Sequence, residues 1–197
     1  MKKIQISLLA TAFLFSPMTW ANCSDTVSEK QISKYKTVIK DFGKTLKQEL
    51  QKAMKEEGGA VHAVSVCNTS AGSVTDDYAK KNNFELKRIS LKNRNADNVP
   101  DEWETNILKE FEKRKSTGEA VATLDHAEVV ETDGKRQIRY VKAIGTAPLC
   151  LTCHGATLAA PVANKIDELY PKDLARGFKA GDIRGAFSIT ETIEKCE

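Results

Sequence analysis

Glu128-Val129-Val130-Glu131-Thr132-Asp133-Gly134-Lys135-Arg136-Gln137-Ile138-Arg139-Tyr140-Val141-Lys142-Ala143-Ile144 is the stretch on which the fold class turns. Its Val, Ile and Tyr residues suit strands, and Asp133-Gly134 sits between the two runs as a two-residue hairpin signal. Upstream the period is different. From about Ser24 to Glu57 apolar residues recur every three or four positions (Ile32, Tyr35, Val38, Ile39, Phe42, Leu46, Leu50, Met54), which predicts one long amphipathic helix stopped by Gly58-Gly59. A short apolar stretch, Ala60 to Cys67, leads to a second helix expected over about Ser73–Lys81. Phe84 to Leu91 reads as a strand, and Pro100 opens a helix whose apolar face carries Trp103, Ile107, Leu108 and Phe111 as far as Gly118. Ala120–Leu124 has strand composition, Ala160–Tyr170 predicts a short helix, and Asp182–Thr190 a closing strand. Helices followed by a meander and a late return strand predict an α+β fold with an antiparallel sheet.

The ends carry a different message. Residues 1–21 read as a secretory signal peptide: Lys2 and Lys3, an apolar run from Ile4 to Phe15, and Thr19-Trp20-Ala21 as the cleavage site. The run is shorter than the roughly 20 apolar residues a membrane span needs. A lipid anchor on Cys23 is disfavoured by Asn22, where that signal has a small residue. Residues 22–197 are then expected as one exported domain, in the periplasm, with no stable membrane insertion. Of the 197 residues, 30 are Lys or Arg and 27 Asp or Glu, and two of the cations lie in the leader. A nearly neutral remainder gives no electrostatic footing for nucleic acid.

The most specific chemistry is Cys150-Leu151-Thr152-Cys153-His154, a C-x-x-C-H expected by chance in roughly two such chains per thousand. Two thiols at this spacing reach the two vinyl groups of one porphyrin and form thioethers. The adjacent imidazole of His154 is then placed to bind iron. A zinc site would need a second pair of ligands at similar spacing, and there is no second C-x-x-C. A thioredoxin-type pair would open a helix early in the chain, whereas this one is late. One covalent haem c, on Cys150 and Cys153 with His154 as an axial ligand, is the expectation. The motif is followed by 43 residues and preceded by strand-like segments, unlike the helical cytochromes c and c′.

Four side chains are candidates for the sixth position: Met54, His62, Cys67 and His126. Met54 falls on the apolar face of the first helix and reads as core; His126 reads as a surface histidine; His62 is an alternative in the apolar stretch. Cys67 has the better argument. An exported chain tends to pair or ligate its thiols, and with the haem cysteines set aside three remain: Cys23, Cys67 and Cys196. A disulfide between the terminal Cys23 and Cys196 would close a very long loop, worth about 4–5 kcal/mol in the chain-entropy model, and leave Cys67 for iron. A free Cys67 thiol and a Cys23–Cys67 disulfide remain open on this counting.

Four blocks in order, Ala63-Val64-Ser65-Val66-Cys67-Asn68, Arg94-Asn95-Ala96-Asp97-Asn98-Val99-Pro100-Asp101-Glu102-Trp103-Glu104, Cys150-Leu151-Thr152-Cys153-His154-Gly155 and Gly181-Asp182-Ile183-Arg184-Gly185-Ala186-Phe187-Ser188-Ile189, resemble the bacterial c-type haem domains with a PAS-like fold. The resemblance covers nearly all of the chain after the leader. It implies a PAS-like antiparallel sheet with a long N-terminal helix and flanking helices, and His/Cys axial ligation by His154 and Cys67. One departure is Ala96, where the family has proline, a change expected to loosen that turn.

Two protein ligands would leave no open position on iron, so redox sensing or low-potential electron transfer is expected over catalysis, with a redox partner or signalling protein. A haem enzyme or gas binder, with a displaceable sixth ligand, is the alternative. Arg88, Arg94 and Arg139 are candidates for the porphyrin carboxylates, although each taken singly reads rather as solvated surface charge.

Overall fold

The computed structural model describes residues 24–194. Four strands form one antiparallel sheet: β1 (Glu85–Ile89), β2 (Asp125–Thr132), β3 (Lys135–Gly145) and β4 (Ile183–Ile193), in the spatial order β1-β4-β3-β2. Five α-helices accompany it among the described residues: α1 (Glu29–Ala53), α2 (Gly59–Asn82), α3 (Glu102–Ser116), α4 (Leu151–His154) and α5 (Ala160–Leu169). The fold is α+β, as expected, and agrees with a PAS-like arrangement.

The hairpin forms for local reasons. Asp133 and Gly134 both take positive φ (52° and 66°), the requirement of a type I′ turn, and Thr132 pairs with Lys135 across it. Glu128 faces Arg139 and Glu131 faces Arg136, so charge also favours this register.

Alternation then gives the sheet two working faces. Tyr140 and Ile189 point towards α1, against Tyr35, Ile39 and Phe42. Val141, Ala143 and Ala186 point towards α3, against Leu108 and Phe111. Helix α3 is fixed at its start by a capping box, in which the Asp101 side chain accepts from the Glu104 N–H (2.7 Å) and Glu104 accepts from the Asp101 N–H (2.9 Å). Glu104 is wholly buried, and its carboxylate also accepts from Ser188 Oγ (2.7 Å) and pairs with Lys87 (2.8 Å) and Arg139 (3.3 Å). These several partners offset part of the cost of burying a carboxylate. Arg139 is occupied here and lies over the Trp103 ring.

Two elements differ from expectation. The apolar stretch and the separate helix are one continuous α2. Its middle is rich in Ser, Thr, Asn and Gly, poor helix formers whose exposed side chains hide the apolar period; Thr69 and Thr75 donate back to the carbonyls of Ser65 and Ala71. Residues Ala120–Leu124 do not form a strand: Val121–Thr123 is a 3₁₀ turn that swings the chain into β2 and buries Leu124. Ala96 stands where the family has proline. It starts a 3₁₀ turn capped by Asn95, whose side chain accepts from the Asp97 N–H at 3.1 Å.

The alternation breaks once. β3 and β4 run in register to Ile144↔Gly185, but the next pair is Gly145↔Ile183, so Arg184 is an extra residue in a bulge. Strict alternation would put Arg184 on the α3 face. The bulge instead gives that face Ile183, which joins the core with Leu108 and Phe111, and turns Arg184 to the other side. A side chain is excluded at Gly185, because its Cβ would lie 2.2 Å from the Ile89 carbonyl oxygen, and φ there is +157°. Gly185→Ala should therefore lower stability by about 1–3 kcal/mol or more, as overpacking against backbone does, read as a fall in the denaturation midpoint. An unchanged midpoint would mean that the bulge is not needed.

Candidate functional site

A cavity of about 320 Å³ opens on the α1/α2 face of the sheet, where the ends of β1, β4 and β3 meet. This is the size range of small-ligand sites. Its walls are the C-terminal half of α1 (Leu46, Leu50) with Met54 just after it, the middle of α2 (Cys67, Ala71), the sheet (Arg88, Ile144, Gly185, Phe187) and the segment holding Cys150, Cys153 and His154. Most of this surface is apolar; the polar groups are few and clustered.

The C-x-x-C-H segment is short and tightly held. After β3 the chain makes a 3₁₀ turn, Pro148–Cys150, that runs directly into α4. The backbone then pairs with a later loop, as Phe178 N–H donates to the His154 carbonyl and Gly177 N–H to that of Gly155, both at 3.0 Å. The His154 ring is oriented by Nδ1, 2.8 Å from the Ala175 carbonyl oxygen. A carbonyl can only accept, so Nδ1 carries the proton and Nε2 keeps its lone pair. Burial, with Arg184 and Arg94 nearby, pushes the His154 pKa down to about 3, which keeps the imidazole neutral and able to bind a metal.

Cys67 comes to the same cavity from α2. The thiol is exposed and lines the cavity. Burial raises its pKa, while Arg88 and Arg94 pull it down. Burial likewise raises that of Cys153. The structure thus brings Cys67, Cys150, Cys153 and His154 together. Among the described residues no three His, Cys, Asp or Glu side chains are grouped to hold a bare metal ion. The donors therefore suit a group that spans the cavity better than a compact zinc site.

The other sequence candidates separate clearly. Met54, expected in the core, is on the cavity wall. His62 is on α2 but bonds Glu56 at 2.9 Å and does not line the cavity. His126 lies on the edge strand β2 beside Glu128 and Trp103, also outside it. Cys23 and Cys196, and the expected leader, fall outside the described residues.

Arg94 is a clamp rather than a solvated charge. Only 11% of its side chain is exposed, and its Nε donates to Asp173 (3.0 Å), itself 2% exposed. Its terminal nitrogen donates to the carbonyls of Cys153 (2.6 Å) and Ala175 (3.3 Å). One guanidinium thus joins the Arg94–Asn95 loop, the C-x-x-C-H segment and the loop that orients His154. Two cavity residues had no signal in composition or spacing: Tyr170, next to α5, and Arg184, whose direction depends on the bulge. Removing Arg94 would leave the buried Asp173 with Arg176 and the Ala175 N–H alone, and would strip the Cys153 carbonyl of its guanidinium. Arg94→Ala should cost about 3 kcal/mol, measured by urea denaturation, with partial recovery in Arg94→Lys; a loss under about 0.5 kcal/mol would show that the clamp is ornamental.

Comparison with known proteins follows the same outline. The crystal structure of the cyanobacterial heme-protein Tll0287 matches with a TM-score of 0.64 at 22% sequence identity, covering 86% of this chain and 99% of that one. No curated protein matches the chain. The model of the Tll0287-like family matches residues 22–191, and the chain belongs to that family.

Proposed function

We propose that the cavity holds one haem c, joined by thioethers to Cys150 and Cys153, with His154 Nε2 and Cys67 Sγ as the axial ligands. The observation that carries this reading is that all four side chains line one cavity while His154 Nδ1 is committed to the Ala175 carbonyl. The fold shared with a cyanobacterial heme-protein supports it. Haem iron supplies a one-electron change of state.

The residues favour one kind of redox site. His154 is a neutral donor with fixed tautomer and direction. Cys67, as a thiolate, is an anionic donor and favours the ferric state, so the potential is low. Two protein ligands occupy both axial positions, which favours electron transfer or redox sensing over catalysis. The leader directs the protein to the periplasm, where a redox partner or signalling protein would meet it. No helix among the described residues is long and apolar enough to cross a membrane.

The test has two parts. Acid–acetone extraction should leave haem on the polypeptide, with one haem per chain by mass; complete extraction would remove the covalent reading. Cys67→Ala should keep the covalent haem, open the sixth position to CO in the ferrous state and raise the potential by about 100 mV or more, since axial ligands set haem potentials over a wide range. A wild-type spectrum and potential in that variant would exclude Cys67 and move attention to another ligand. Fast CO binding by the unmutated ferrous protein would instead favour a gas binder or haem enzyme.

A further inference from the structure

The charges facing the cavity do not cancel. At the rim, Lys47 and Glu49 are exposed and of opposite sign. Arg94 is paired with Asp173, and Arg176, which shares Asp173, has a second partner in Asp167. Arg88 and Arg184 are left. Neither forms a salt bridge among the described residues.

Arg184 is built into place. The bulge at Gly185 turns it from the α3 face into the cavity, where one terminal nitrogen donates to Ser90 Oγ (3.0 Å) and the Lys92 carbonyl (3.2 Å). Its Nε is buried and has no hydrogen-bond partner. Arg88 reaches the same cavity from β1, where it pairs with Phe187 of β4. Half-buried guanidiniums without a carboxylate partner suit an anion, and their planar donor face fits a carboxylate in bidentate fashion.

Two unpaired guanidiniums match the two carboxylates of one porphyrin. Cys67 does not satisfy them: ferric iron, the dianionic ring and a thiolate already balance, which leaves only the propionates uncompensated. We infer that Arg88 and Arg184 are the propionate-binding pair of this cavity. The inference rests on the haem reading above and assigns the orientation of the ring within it. The propionate edge lies towards β1 and the bulge of β4, not towards the rim at Lys47.

The test uses the holoprotein and its Arg88→Gln, Arg184→Gln and double variants, each checked for one covalent haem by mass. Resonance Raman bands of the propionate bending modes should shift in each single variant and shift further in the double. The ferrous-to-ferric ratio at a fixed applied potential should fall on the order of tenfold per guanidinium removed, which is about 59 mV for one electron. If a Gln variant does not fold, the matching Arg→Lys variant keeps the charge and should still move the Raman bands, because Lys cannot make the bidentate contact. Unmoved propionate bands in both single variants would overturn the assignment even if the potential shifts, since any nearby cation shifts a potential. Added succinate should leave the wild-type spectrum unchanged; a succinate-induced shift would place a diffusible dicarboxylate at these arginines instead. Loss of all haem from the wild-type protein in acid–acetone would be a failure of the haem reading itself, visible before any arginine is changed.

Discussion

The strict two-face alternation of the sheet is the constraint from which the rest follows. Each strand must give one set of side chains to α3 and the other to α1, α2 and the cavity. β3 and β4 obey this along most of their length, and two apolar clusters form on opposite sides as a result. At Gly185 the rule is reset by one residue. The same irregularity seats Ile183 in the core and delivers a guanidinium to the opposite side, so packing and polar chemistry are served together. Only glycine permits it, because of the Ile89 carbonyl.

Around this sheet, buried ionic contacts do the joining that apolar contacts do elsewhere. Glu104 ties the start of α3 to β1, β3 and β4 through Lys87, Arg139 and Ser188. Arg94 ties three loops at the opposite margin, including the one that fixes His154. Such pairs add less net stability than their Coulomb energy suggests, because both partners lose hydration. Their directionality is the more useful property. A hydrogen-bonded guanidinium defines angles as well as distances, which a loop without regular structure needs if it is to hold an imidazole in one orientation.

What was legible in the sequence was what is decided locally. The hairpin was readable because Asp133-Gly134 and its flanking residues carry their own conformational preference. The C-x-x-C-H was readable because its chemistry lies within five residues. Helix α1 was readable from its period. Helix α2 was not, since Ser, Thr, Asn and Gly interrupt its apolar period through the middle, where one face lines the cavity. Arg184 was missed because its direction is a property of strand pairing, not of its neighbours in sequence. Arg139 and Arg94 were read as surface charge because nothing local announces Glu104 or Asp173 as partners; both are brought there by folding. Cys67 stood out by its place in a recognisable block, while the cavity beside it is assembled from four distant parts of the chain.

The strand order has a consequence for how this architecture comes into being. β2 and β3 are joined by two residues, so their pairing needs almost no loop closure and can form on the timescale of an isolated hairpin. β1 and β4 are neighbours in space but nearly a hundred residues apart in sequence, with Arg88 opposite Phe187. Chain entropy delays such a contact until intervening elements have condensed. The wall carrying Arg88 and Arg184 is thus a late product of folding, whereas Cys150 and Cys153 follow immediately after the early hairpin. In the time between, both thiols belong to a chain whose cavity is still open on the β1 side.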